Sequence, residues 1–180
     1  CAANVPAPNP ANVTVADVCG NAGIITIHVG DVISNQTCAN RFTVTRTYRA
    51  TDACGNSNTC TQLIVVNDIT APSVLCPANT TVVCATNVPA PNIANVTVAD
   101  VCGNTGIVTV HVGDVITNRT CDNRFTVTRT YRATDVCGNS GTCAQIITVN
   151  DVTLPIALCK AANVYLDGAG NGVLNPADIN

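Results

Sequence analysis

Apolar and polar residues alternate with period two along most of the chain, in short runs closed by Asn, Gly, Asp and Pro. Such a pattern predicts strands joined by tight turns rather than helices. In the stretch from Thr70 to Val152, "SVLCPANTTVVCA" reads as a first strand, followed by the Pro-rich run "TNVPAPNIA". "NVTVAD" reads as a second strand closed by the turn "VCGNTG", and "IVTVHVGDVI" as a third strand ending in a Gly-Asp turn. "RFTVTRTYRATD" holds one long strand or two, "VCGNSG" turns the chain, and "TCAQIITVND" is the last strand. About seven short strands with turns every 8–12 residues predict an all-β, Ig-like or fibronectin-like sandwich. One position resists the pattern. Phe125, Val127, Arg129 and Tyr131 share a parity, so an arginine falls on an apolar face, as a snorkelling stem or a strand break.

Composition agrees with strands. The chain has 25 Thr, 26 Val and 22 Asn but one Lys, no Glu, no Met and no Trp, so the straight-chain helix formers are nearly missing. A net charge of −3 with 11% charged residues offers no basic surface for nucleic acid and no polybasic membrane anchor. No apolar run approaches the roughly 20 residues of a membrane-spanning helix. Without an initiator Met or a signal segment, the sequence reads as a mature chain or an excised piece of one.

Twelve cysteines change the picture. Zinc sites use CxxC pairs or close Cys/His clusters, and neither occurs, so disulfides in an oxidising, extracellular setting are expected. Sliding the chain by 83 residues superposes all of them, Cys1 on Cys84 through Cys76 on Cys159, with 59 identities between residues 1–76 and 84–159. The chain is an array with a unit of about 83 residues and six cysteines. The boundaries predicted are an Ig-like repeat over 1–69 lacking its first strand, a complete repeat over 70–152, and a tail, 153–180. That tail is the first strand and hairpin of a further repeat, or a donor strand for the next subunit.

"LCPANTTVVC", "VADVCGN", "RTYRATDVCGNSGTC" and "ITVNDVTLP" resemble the hyalin repeat, an extracellular Ig-like module, and in particular its cysteine-rich form in giant surface adhesins of gliding bacteria. The likeness covers essentially the whole chain. It implies a secreted or surface-exposed repetitive protein, adhesive or stalk-forming, without enzymatic activity. Its partners would be neighbouring repeats or copies of itself, and a surface or glycan target.

Sandwich topology suggests a cysteine pairing. The loops after strand two and before the last strand share the top of the domain, which pairs Cys102 with Cys137 and, in the first repeat, Cys19 with Cys54. Strand one and the last strand pair Cys76 with Cys143, and the bottom of the domain pairs Cys84 with Cys121 and Cys1 with Cys38. A local Cys137–Cys143 bridge is the alternative. Cys60 and Cys159 are left over, because the mate of Cys60 would lie on a strand that precedes residue 1. Either the chain is a window of a longer array, or the tail of one copy enters the next copy as a donated strand with a Cys159–Cys60 bridge.

The remaining candidates are weighed on chemistry. Asp68, Asp100, Asp135 and Asp151 gather near expected repeat boundaries, where carboxylates and carbonyls would suit calcium, although Asx turns explain the same residues. In the tail, "DGAGNGVLNPAD" sets Asp167, Asn171, Gly172, Asn175 and Asp178 at EF-hand-like spacing, yet Ala169 fills a ligand position, and a hairpin turn is expected. His28 with Asp31 and His111 with Asp114 lack any nucleophile motif nearby, so a strand histidine beside a turn is expected. The expected function is a structural stalk, adhesin or filament. Its rival is a glycan- or protein-binding adhesion module without filament formation.

Overall fold

A computed structural model describes residues 1–173 of the chain. Residues Cys1–Asn150 form one unit, and a second begins at Asp151. Apart from 3-10 turns of three residues, the regular elements of the first unit are nine strands, forming two repeat modules.

The sequence "RFTVTRTYRAT" occurs twice and folds the same way twice. As β2 (Arg41–Thr51) and β8 (Arg124–Thr134) it is the central strand of its sheet, buried on every second residue. In the first module β1 (Ile25–Cys38), β2 and β3 (Ser57–Asn67) form an antiparallel meander. The second module repeats it with β7 (Val108–Cys121), β8 and β9 (Ser140–Asn150). "VTVHVGDVITNRTC" is one strand with a register shift between His111 and Gly113, not a strand ended by a Gly-Asp turn. The bulge leaves Val112 without a partner, and pairing resumes at Gly113 with Thr130.

The second module adds three short strands, β4 (Ser73–Leu75), β5 (Thr80–Val82) and β6 (Thr97–Ala99). The expected first strand is therefore split between sheets. β4 pairs with β6, while β5 joins the main sheet parallel to β9, giving the order β5-β9-β8-β7. These two layers make the all-β, Ig-like sandwich. Gly141 permits their close approach, because a Cβ there would collide with the Pro72 carbonyl and press on Val74.

Strand one decides how well each core closes. In the second module Phe125, Val127, Ile147 and Val149 are buried under Val82, Ala85 and Val88. Gln145 is buried and donates through Nε2 to the Ala78 carbonyl at 2.8 Å. The first module has the same β2 and, on the inward face of β3, the same Gln, Ile and Val at 62, 64 and 66, but no counterpart of β4 and β5. Its core is Phe42, Val44 and Val66, with Ile64 only half-buried and Gln62 exposed. Thr14–Ala16, equivalent to β6, is not a strand there, since nothing lies beside it to complete a ladder. Likewise 153–166, expected to be a strand, holds none in the described tail. Asp167 instead opens a turn, accepting from the amides of Ala169 and Asn171 at 2.9 Å each. Asn175 and Asp178 lie outside the described residues.

The arginine on the apolar face is neither snorkelling nor a break. Arg129 is 3% exposed and forks onto Asp114, with Nε to Oδ1 at 2.9 Å and Nη2 to Oδ2 at 2.8 Å. Its Nη1 donates to the Pro89 carbonyl at 2.8 Å, and His111 Nε2 lies 2.8 Å from Asp114 Oδ1. Arg46, Asp31, Pro6 and His28 repeat this cluster in the first module. The fork therefore ties β8 to β7 and to the Pro-rich run that follows strand one. Hydrogen bonds from Arg46, then His28, lower the Asp31 carboxyl to about 2, and Arg129 lowers Asp114 in the same direction. An unfolded Asp titrates at about 3.9. The folded chain binds these protons less readily, so their stabilisation is complete above that value and is lost as pH falls toward about 2. We expect the melting temperature to fall between about pH 4 and pH 2 in thermal scans. Asp114→Asn leaves Arg129 buried without its counter-charge and should cost about 3 kcal/mol at neutral pH while flattening that acid limb.

Candidate functional site

The chemistry of the chain concentrates where the two modules meet. Cys38 closes β1 at the hairpin into β2, and Arg41 beside it pairs with Asn67, the last residue of β3. That end of the first module is also where the chain leaves for the second, so the nearest cysteines ahead of it belong to the next module. Cys1 is bonded to Cys102 and Cys38 to Cys137, with Cα–Cα distances of 4.9 and 5.2 Å. Both bridges cross the junction. Cys76–Cys143, at 5.6 Å, joins the stretch between β4 and β5 to β9 inside the second module, and involves the same two residues that topology paired.

Several expected bridges are accordingly absent. Cys1 is not joined to Cys38, nor Cys102 to Cys137, because each pair shares one end of a module and faces the opposite pair of its neighbour. Cys19, Cys54, Cys84 and Cys121 carry no disulfide, which corrects the pairings Cys19–Cys54 and Cys84–Cys121. Cys60 and Cys159, the inter-segment candidates, are also unbonded and exposed.

The "DxCGN" loops exist to aim these cysteines. Asp135 Oδ1 accepts from the amides of Cys137 and Asn139 at 2.8 Å each, and Oδ2 accepts from Asn139 Nδ2 at 2.8 Å. Gly138, at φ +86°, completes a turn that an L side chain would strain. In the other loop Asp100 Oδ1 accepts from the Cys102 amide at 2.7 Å, and Asn104 Oδ1 accepts from the Asp100 amide at 2.8 Å. The repeated Asp and Asn are thus turn residues that hold a thiol at the leading edge of the module.

Polar contacts close the junction around the bridges. Arg41 Nη1 donates to the Cys137 carbonyl at 3.2 Å and Nη2 to the Asp68 carbonyl at 2.6 Å. Asn139 Nδ2 reaches the same Asp68 carbonyl at 3.3 Å. Asp68 is buried and accepts from the Thr70 hydroxyl and amide, which lower its carboxyl below the usual range. Sequence reading did not single out Arg41 or Asn139. The signal available was their place, one at a hairpin and one in a turn, at opposite ends of the module.

Of the four aspartates expected to bind calcium, Asp68 and Asp100 come together. Their carboxylates and the Cys102 sulfur lie within 4.8 Å of one another. Asp100 Oδ2 is buried without a hydrogen-bond partner, and fits a cation's demand for oxygen. The sulfur is committed to Cys1 and is no ligand for a hard ion. Asp135 is not in the group, since both its oxygens serve its own turn, and Asp151 belongs to the second unit, its Oδ1 accepting from the Thr153 amide and hydroxyl.

The family described as an HYR-like domain with four cysteines matches the chain twice, over residues 1–66 and 72–149. No curated protein matches it significantly. No helix among the described residues is long and apolar enough to cross a membrane.

Proposed function

Because the chain belongs to the family of HYR-like domains with four cysteines, we propose that it is a non-catalytic segment of an extracellular adhesion-type repeat protein, its modules stacked lengthwise as a stalk or filament. The observation that carries this reading is the pair of disulfides across the junction. A binding module on a flexible tether gains nothing from being fixed covalently to its neighbour at two points. A load-bearing rod does. Twelve cysteines and a joint bonded at two points also favour an oxidising location outside the cell.

The first module has a groove of about 320 Å³ between Val13–Asp17 and Ser57–Cys60, where β4 lies in the second. No aromatic ring lines it, which favours a docked strand over a sugar. Cys60 and Cys159 are the repeat counterparts of Cys143 and Cys76, so a strand like 153–166 is suited to dock there, supplied by a preceding segment of a longer array or donated by the tail of a neighbouring copy. Asn58 replaces Gly141 in this module, so the incoming strand sits further out or the Asn58 side chain turns aside. Negative-stain imaging of native material tests the reading. It predicts rods that lose stiffness or length on reduction, whereas globular particles unaffected by reductant overturn it.

A cation at the junction is a second proposal, favoured by the buried, unpartnered Asp100 Oδ2 facing Asp68. Asp68 and Asp100 would hold the ion, and it would offset their mutual repulsion. Calcium at about 100 times its dissociation constant should then stabilise the junction by about 2.7 kcal/mol. A melting curve identical in calcium and in chelator would remove the ion from the account.

A further inference from the structure

The four unbonded cysteines at the outer ends of the two modules are the two halves of the joint that the structure shows closed in the middle. Cys19 and Cys54 are the repeat counterparts of Cys102 and Cys137, and Cys84 and Cys121 those of Cys1 and Cys38. We propose that Cys84 and Cys121 bond to Cys19 and Cys54 of an adjoining module of the same plan, so that every joint carries two disulfides. A second copy of this chain supplies such a module. The inference deepens the stalk reading and rests on it for the lengthwise order of modules.

Correspondence of sequence alone would not carry this, but the local geometry is also repeated. Asp17 Oδ1 accepts from the Cys19 amide at 2.7 Å, Asn21 Oδ1 accepts from the Asp17 amide at 2.8 Å, and Gly20 sits at φ +101°. These match the Asp100, Asn104 and Gly103 arrangement around the bonded Cys102, with Gly103 also at φ +101°. Asp52 Oδ1 accepts from the amides of Cys54 and Asn56 at 2.9 and 2.8 Å, as Asp135 does around Cys137. At the trailing end, Cys121 pairs with Arg124 in the hairpin register that Cys38 keeps with Arg41. Cys84 accepts from the Asn87 amide at 3.0 Å, as Cys1 does from Asn4.

Each end is thus held in the bonding conformation while its thiols remain unpaired. Within a module they do not turn to one another. The structure bonds neither Cys19 to Cys54 nor Cys84 to Cys121, and their counterparts reach across a junction instead. Arg124 and Asp151 stand where Arg41 and Asp68 stand, and Asn56 where Asn139 stands, so the polar residues of the closed joint are also present at both open ends.

The oxidant required is a small-molecule disulfide such as oxidised glutathione. A Cys121 thiolate, its proton given to water, attacks one glutathione sulfur and expels the other glutathione as thiolate. The Cys54 thiolate of the second copy then attacks the Cys121 sulfur and expels the remaining glutathione. Two cysteines are oxidised and one glutathione disulfide is reduced to two thiols, and the Cys84–Cys19 bond forms in the same way.

The test uses the full 180-residue chain, half of it labelled with nitrogen-15, oxidised with glutathione disulfide at high protein concentration. Non-reducing electrophoresis should show a ladder of multiples of 18.4 kDa that reductant collapses. Cleavage before aspartate should give residues 114–121 linked to 52–67, and 17–30 linked to 68–99, which Cys76–Cys143 also holds to 135–150, with labels mixed across the new links. The double variant Cys84→Ser, Cys121→Ser should lose both linked pairs while keeping 1–16 joined to 100–113. Same-label links of 17–30 to 52–67, or of 68–99 to 114–121, would overturn the proposal, as would a chain that stays monomeric with these thiols free. If imaging shows reducible rods but these links are missing, the joint fails and the stalk reading stands.

Discussion

A chain carrying Cys1→Ser and Cys38→Ser should unfold in two separated steps, the first module well before the second. The two bridges close separations of 101 and 99 residues. A loop of that size is worth about 4 to 5 kcal/mol in the chain-entropy model, and the second bridge somewhat less once the first has formed. The first module depends on them most, because its core is three buried residues and its β3 is largely exposed. Calorimetry or a denaturant titration reads the outcome. The second module keeps Cys76–Cys143 and its midpoint should move little. One unshifted, cooperative transition in the variant would mean that the bridges do not carry the first module's stability.

The second large effect should come from a pair of identical substitutions. Ile147→Ala removes a side chain that is 0% exposed and covered by strand one. It should cost about 3 to 4 kcal/mol, in the range of buried Ile truncations. Ile64→Ala, at the equivalent position, removes a half-buried side chain with no strand above it and should cost about 1 kcal/mol. Equal costs would show that the first module finds cover for β3. If the tail of a neighbouring copy provides it, the Ile64→Ala cost should rise with protein concentration.

Much of the fold was legible because the repeat offers each element twice and period two is hard to mistake. The strand centred on Phe125 and Val127, the turns at "DxCGN" and the sandwich class all follow from local pattern. What eluded the pattern depends on partners distant in sequence. Arg129 looks misplaced until Asp114 and the Pro89 carbonyl are brought to it by β7 and the Pro-rich run. Strand one reads as continuous, yet it splits because two sheets compete for it, at β6 and at β9. Thr14–Ala16 has the alternation of a strand and forms none, since a ladder needs two sides.

The cysteines show the limit most clearly. Their assignment to the top or bottom of a module followed from topology, but the pairing assumed that a module is closed on itself. In an array the bottom of one module is the neighbourhood of the next module's top. Cys38 therefore meets Cys137. Of the four aspartates, Asp68 and Asp100 come together, while both oxygens of Asp135 serve its own turn.

The central claim is that the modules are joined covalently across their junction, and disulfide mapping tests it most directly. Aspartate-specific cleavage places Cys1, Cys38 and Cys102 on separate peptides, 1–16, 31–51 and 100–113, and Cys137 on 135–150. Under non-reducing conditions the account predicts 1–16 linked to 100–113, and 31–51 linked to 135–150, which Cys143 also holds to 68–99. Finding 1–16 linked to 31–51, or 100–113 linked to 135–150, would contradict it.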